Sequence, residues 1–348
     1  MTILINIDDN FSICSEITFA TSCIISNPFE CKSIIAVFLK RIMEKKYLII
    51  TLYKFVHFSD YVSYQPKILN FCIEKDIKGT LLLAEEGING TAVGLKTNIC
   101  QFLQYLKSDS RFSDIQYKES YADKIPFHRM KVKLKKEIVT LGQSNIKPAE
   151  QSGIRVDPKD WNNLINDPNT VLVDTRNEYE YQIGTFKGAI SPKTTNFREF
   201  PDFVKQKLDP KKNKKVAIFC TGGIRCEKAS IYMLNQGFEN VYQLNGGILK
   251  YLEDIETNKS LWQGECFVFD SRVSVDYGLA KGNYEQCYAC RRPLSKGDLQ
   301  SKLYEKGVAC PYCINEKTNN QRARFSERQR QVELAEKRNQ KHIGPRMN

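Results

Sequence analysis

The chain has 348 residues, of which 41% are hydrophobic and 26% charged, and its formal net charge is +12. That length supports two or three domains with cores of their own, and the composition excludes a globally disordered chain. Twelve cysteines in so long a chain argue against a secreted disulfide framework, which belongs to small domains, while the positive excess suits a polyanionic partner such as RNA.

Residues 1–42 carry four acidic and three basic residues and no sustained hydrophobic period. They are expected to be a disordered or mis-assigned extension ahead of a second start at Met43. Asp8 and Asp9 stand where a signal peptide is basic, and the apolar run "SIIAVFL" stops at Lys40-Arg41, too short to cross a bilayer, so a cytoplasmic protein away from membranes is expected. Residues 43–142 then give a strand in "YLIITLYKF", a helix in "PKILNFCIEKD" and two strands in "GTLLLAEEGINGTAVG" around a turn at Glu86–Gly90. A helix in "NICQFLQYLKS" and strands in "IQYKESYA" and "RMKVKLKKEIV" follow. The order predicts a ferredoxin-like βαββαβ domain.

A polar linker, Gln143 to Ser152, opens residues 143–255, where strands alternate with helices and imply a parallel α/β sheet covered on both faces. Asp157 reads as an N-cap with Pro158 at the first helical position. "TVLVDTR" ends at Asp174, "KKVAIFC" ends at a cysteine, and "NVYQLNGGILKYLE" reads as strand, turn and helix. Residues 256–316 form a cysteine-rich module. Residues 317–348 are a basic tail with nine Lys/Arg and three Glu, expected as a polar helix or a disordered arm.

The stretch "FCTGGIRCEK" carries the chemistry. Cys220 lies where a parallel strand ends and a helix begins, which is where such sheets place reactive groups. Around Thr221, Gly222, Gly223 and Ile224 the backbone can curve tightly and turn its amides inward as an anion nest. In that field, with Arg225 closing the loop, the Cys220 thiol is expected to be a thiolate at neutral pH and to act as nucleophile. Two roles fit Cys226: resolving an oxidised sulfur on Cys220, or packing as a small apolar group. Asp174 and Arg176 are a strand-end pair that supports the loop or serves structure, the structural role being preferred.

These residues resemble a rhodanese active-site loop, and "VLVDTRNEYEYQIGTFKGAI" resembles the rhodanese Asp-x-Arg segment, with Thr185 where many rhodaneses have histidine. Together "LLLAEEGINGT", "PFHRMKVKLKKEIV", "CTGGIRCEKAS" and "CYAC…CPYC" resemble, in order, the signatures of the bacterial rhodanese-domain tRNA uridine hydroxylases over about residues 45–315. The resemblance implies hydroxylation of the tRNA wobble uridine at carbon 5, molecular oxygen as co-substrate, the tRNA anticodon region as partner, and Cys220 as the active cysteine, proposed in that family to carry a persulfide. Two other functions fit the same residues: a sulfurtransferase using a Cys220 persulfide, and a non-catalytic tRNA-binding module. No flavin or nicotinamide fingerprint is present, and three histidines leave little from which to build an iron site.

Cys287-x2-Cys290 and Cys310-x2-Cys313 are separated by nineteen residues, the spacing of a four-thiolate structural zinc site. Cys266 lacks a partner at ligand spacing and reads as packing. Arg129, Lys131, Lys133 and Lys135 are the candidate tRNA-binding residues. In a strand the three lysines share one face, and with "KLDPKKNKK" and the tail they make three basic clusters. His128 reads equally as a structural or a catalytic histidine.

Overall fold

The computed structural model describes residues 47–339. The expected extension, 1–42, and the start at Met43 lie outside these residues. Strand β1 (Tyr47–Phe55), helix α1 (Tyr61–Glu74), β2 (Lys78–Ala84), β3 (Gly87–Gly94), α2 (Lys96–Lys107), β4 (Gln116–Ala122) and β5 (Met130–Leu134) form one layer of helices on one sheet. The sheet order is β4-β1-β3-β2-β5. Its first four strands have the ferredoxin-like arrangement, and β5 adds a fifth strand parallel to β2 at the edge. Along β1 the period-2 residues Leu48, Ile50 and Leu52 pack against Ile68 and Cys72 of α1 and Phe102 of α2 in one core. Ile49, on the opposite face, is also fully buried, and Tyr53 on that same face reaches Glu227 of the second domain.

One expected detail changes here. The turn between β2 and β3 is only Glu85-Glu86, and Gly87 to Gly90 already pair within the sheet. The two acidic residues are therefore held at the tip of a tight hairpin.

The second domain contains β6 (Ile154–Val156), α3 (Pro158–Ile165), β7 (Thr170–Asp174), α4 (Glu178–Tyr181), β8 (Gly184–Phe186), α5 (Phe200–Lys207), β9 (Lys215–Phe219), α6 (Ile224–Asn235), β10 (Asn240–Leu244) and α7 (Gly247–Asp254). Its four-stranded sheet, β6-β10-β9-β7, is parallel throughout. Val216 and Ile218 of β9 face one core with Val173, Phe200 and Met233, while Ala217 and Phe219 face another with Trp161, Phe186 and Ile248, as a strand buried on both sides requires. Asp157 occupies the N-cap position of α3 but makes no side-chain cap; its carboxylate accepts a hydrogen bond from Asn245 instead.

After residue 255, β11 (Trp262–Gly264) pairs with β8, and Trp262, Cys266, Val268 and Val275 join the core of the parallel domain. Strands β12 (Cys266–Phe267) and β13 (Ser274–Val275) form a hairpin, followed by β14 (Glu285–Gln286), β15 (Pro293–Leu294) and α8 (Lys296–Gln300) around the four-cysteine cluster. The tail forms α9 (Asn319–Lys337), capped by Thr318 and Gln321. It buries no side chain, and Arg328 ties it to the backbone carbonyls of Tyr288 and Gly307. No helix among the described residues is long and apolar enough to cross a membrane.

The two large domains are joined by a buried cation. Lys228 of α6 is 1% exposed, and its ammonium lies 2.7 Å from Glu86 at the hairpin tip and 2.6 Å from Glu137 after β5. Removing a single partner from a buried ion cluster costs about 3–5 kcal/mol, because the remaining charges stay desolvated and unpaired. Lys228→Ala therefore leaves two carboxylates facing each other, and calorimetry should record a loss of stability of that order. A melting temperature within a degree of the wild type would show that the domains are held by other contacts.

Candidate active site and metal centre

Strand β9 ends at Phe219, and Cys220 opens the turn into α6. Gly223 sits at φ +101 as the N-cap, a conformation that favours glycine, and it aims its amide N–H at Cys220 Sγ, 3.1 Å away. The amides of Arg225 and Cys226 also point to the sulfur. Burial alone would raise the Cys220 thiol; a hydrogen bond from the Cys226 thiol, the Arg225 charge and these amides overcome that and hold it at about 6. The donors to sulfur are the amides of Gly223, Arg225 and Cys226, while Thr221 and Gly222 form the turn.

Cys220 is fully buried. Its roof comes from elsewhere in the chain. A Cβ at Gly223 would stand 2.9 Å from the Tyr53 hydroxyl of β1, which donates to Glu227. Lys118 of β4 reaches the next loop: a Cβ at Gly246 would meet its Nζ at 2.7 Å. Burial pulls the Lys118 ammonium down to about 8, against the opposing charge of Glu253. The first turn of α7 closes the floor, with Ile248 and Leu249 amides donating to the Cys220 and Thr221 carbonyls at 3.0 Å. Gly247, at φ +67, is needed there because a Cβ would stand 2.5 Å from the Cys220 carbonyl.

Arg225 does not reach freely into the site. Its guanidinium makes a two-pronged bond to Glu180, at 2.7 and 2.8 Å, and a third bond to Thr221 Oγ1. Burial alone would raise Glu180, and the Arg225 charge overrides it, so the carboxyl stays ionised. Arg225→Ala would thus strand a buried carboxylate as well as remove charge near the thiolate. Glu180 went unnoticed in the sequence because its role depends on α4 folding back over the loop.

Cys226 is buried beside Cys220 and touches Thr175 Oγ1 at 3.7 Å. Burial and its bond to Cys220 push its own thiol well up, so Cys226 is the proton donor of the pair. Asp174 and Arg176 are both fully buried and bind each other, Thr185 Oγ1 and the Gly184 carbonyl. Arg176 lies 5.2 Å over the Trp262 ring. The pair braces the strand end against β8 and β11, and the group that supports the loop directly is Glu180. Thr185 thus has a structural partner where many rhodaneses carry histidine.

The sulfurs of Cys287, Cys290, Cys310 and Cys313 all lie within 4.8 Å of one another. The pairs Cys290–Cys310, Cys310–Cys313 and Cys287–Cys313 are separated by 3.7, 3.6 and 4.0 Å. A tetrahedral zinc with bonds of about 2.3 Å sets its sulfurs roughly 3.8 Å apart, so the residues fit the ion. The cluster could bind a metal such as zinc, and four thiolates would leave no open position for catalysis. Cys266 is buried away from it, its thiol pushed up to about 12 by burial.

Of the basic residues, Arg129 and Lys131 line a large cleft beside β5, and His128 lines the same cleft. Lys133 and Lys135 are exposed farther along. The second expected cluster, Lys207 to Lys215, lies at the start of β9, the opposite end of that strand from Cys220. Lys214 and Lys215 there pair with Glu239 and Asp167.

Residues 47–138 match the family described as UPF0176 acylphosphatase like domain, and residues 157–254 match the rhodanese-like domain. The chain joins a UPF0176 acylphosphatase-like domain to a rhodanese-like domain. This is the architecture of the family that its motifs resemble. Among solved structures, it is similar to a rhodanese-like domain from Anabaena at 18% identity, covering 32% of this chain and 78% of that one with a TM-score of 0.27. It is also similar to a human single-domain sulfurtransferase at 19% identity, covering 29% and 97% with a TM-score of 0.25.

Two outcomes follow from this geometry. Alkylation of Cys220 should gain rate as pH rises through about 6 and level off above it. The Cys226→Ala variant, lacking the S–H donor, should titrate at higher pH, and an unchanged midpoint would refute the pairing of the two thiols. The sign for stability is the same: the Cys220 thiolate contributes above the unfolded thiol value near 8.5, and that contribution is lost as pH falls through about 6. For the cysteine cluster, metal analysis should find one zinc per chain, and a chelator should lower the melting temperature. Purified protein with no metal and four freely titrating thiols would exclude the site.

Proposed function

We propose that the protein is a tRNA-modifying enzyme that hydroxylates the wobble uridine at carbon 5 with molecular oxygen, using Cys220. The observation that supports this most is the position of the thiolate. It is poised to be ionised near neutral pH, and it is buried under a loop against which Tyr53 of the first domain packs. A sulfur that only exchanges with solvent thiols has no need of such a roof, whereas an electron-rich base intermediate is protected by exclusion of water.

In this scheme the uridine leaves its stack and the Cys220 thiolate adds to carbon 6. The displaced electron pair makes carbon 5 nucleophilic, and carbon 5 attacks an electrophilic oxygen derived from O2. Loss of the carbon-5 proton then expels the thiolate and restores the double bond. Uridine gives two electrons to that oxygen atom, and the second oxygen atom leaves as water with two electrons from an external reductant. Cys226 supplies and recovers a proton at the sulfur, and the amides of Gly223, Arg225 and Cys226 hold the anion when the thiolate departs.

A sulfurtransferase is the second reading. The same amide cradle suits the terminal charge of a Cys220 persulfide. Nucleoside analysis of tRNA from a deletion strain, complemented with wild type or Cys220→Ala, separates the possibilities. Loss of 5-hydroxyuridine derivatives, restored by the wild type alone, is the expected result. Loss of 2-thiouridine instead would establish sulfur transfer, and an unchanged profile in the deletion strain would leave a binding module.

A further inference from the structure

Two cavities share a wall near the Cys220 loop. The inner one, of about 70 Å³, is bounded by Thr221 of that loop, Lys118 and Ser120 of β4, and Leu249 of α7. The outer one is a cleft of about 1240 Å³ between β5, the rhodanese-like domain and the cysteine-rich module. Phe269 and Asp270 line both, so the wall between cleft and inner cavity is the turn that joins β12 to β13.

That turn is held firmly. Arg272 binds Asp270 through two nitrogens and Ser120 through a third, at 2.8 Å. Val273 is fixed at φ +67, a conformation rare for a β-branched residue and one that persists only where surrounding contacts impose it. The turn nevertheless leaves Phe269 64% exposed. Phe269 stands edge-to-face with Phe267 at 5.1 Å, and Phe267 with Tyr179 at 5.2 Å, so an aromatic row runs from the cleft to the neighbour of Glu180. Tyr288 and Tyr312, 47% and 45% exposed, add two more rings to the cleft. Arg129, Lys131 and Arg291 bring positive charge to the same wall, and Lys131 is crowded by like charge from both others. Open aromatic faces beside cations are the combination that binds single strands, whose bases stack while their phosphates are neutralised. A regular duplex keeps its bases stacked inside and offers no face to these rings.

We propose that the cleft seats a single-stranded RNA segment and that Phe269 stacks at its inner wall, taking the place of the base that turns into the cavity beside Cys220. This rests on the tRNA-modification reading and gives it a binding surface and a positioning residue. The ring contact of Phe269 is with Phe267, and the groups that hold the thiolate are Gly223, Arg225 and Cys226, so its removal should leave the chemistry of Cys220 intact.

The test uses the full chain and a synthetic anticodon stem-loop RNA with 2-aminopurine next to its wobble uridine. Wild-type protein should bind with a rise in 2-aminopurine fluorescence as the neighbouring base unstacks. Phe269→Ala should weaken binding roughly tenfold and abolish most of that rise, since a base–aromatic stack is lost. Phe269→Trp should restore both. The pH dependence of Cys220 alkylation should be unchanged in both variants. Arg129→Glu with Lys131→Glu should weaken binding and flatten its salt dependence. Unaltered affinity and fluorescence in Phe269→Ala, or equal binding of an uninterrupted RNA duplex, would overturn this inference and leave the tRNA reading standing. Failure of the wild type to bind the stem-loop at low salt, with unchanged tRNA nucleosides in a deletion strain, would instead overturn the tRNA reading and this inference with it.

Discussion

A charged sulfur buried in protein must be compensated by the groups around it, and much of this molecule is arranged around that requirement at the end of β9. Burial opposes ionisation of Cys220, so the thiolate persists only because three amides, the Cys226 thiol and the Arg225 charge converge on it. Each of those groups needs support in turn. The amides require the left-handed turn at Gly223, and Arg225 requires Glu180. The close seating of α7 requires Gly247. A short apolar strand followed by a glycine-rich turn thus gathers residues from α4, α6 and α7 into one electrostatic unit.

The same helix turn couples the site to the rest of the chain. Glu227 and Lys228 follow Cys226 directly, and neither faces the thiolate. Glu227 accepts from Ser152, Arg155 and Tyr53, while Lys228 lies between Glu86 and Glu137. The tip of the β2–β3 hairpin is therefore an ionic socket for α6, the helix that follows the Cys220 loop. The roof over the thiolate and the ion cluster at the hairpin are two contacts of one interface, so docking of the first domain and closure of the site are linked.

The architecture has three parts around this loop. The rhodanese-like domain carries Cys220, and the acylphosphatase-like domain packs against its loop. The cysteine-rich region contributes the turn that separates a broad aromatic and basic cleft from the inner cavity. The four cysteines lie in a region whose remaining apolar core is small and whose strands are two residues long, where a metal such as zinc could add the missing stability.

The sequence by itself determined the elements and the chemical centres. Hydrophobic period and turn residues marked the ferredoxin-like strands and the parallel β7, β9 and β10, because local propensity and burial agree there. Strand-end position and the run Cys-Thr-Gly-Gly-Ile-Arg located the thiolate, and cysteine spacing located the four-sulfur cluster, because these rest on residues close in the chain. The tertiary structure alone decided what lies far apart in sequence. It showed that Glu180 and not Asp174 holds Arg225, that Tyr53 and Lys118 pack against the loops at Gly223 and Gly246, and that Glu86 meets Lys228. It also split the basic residues between the cleft and the far end of β9. A carboxylate, a tyrosine or a lysine has no local signature of such a role, since its partner is chosen by the packing of domains and not by neighbours along the chain.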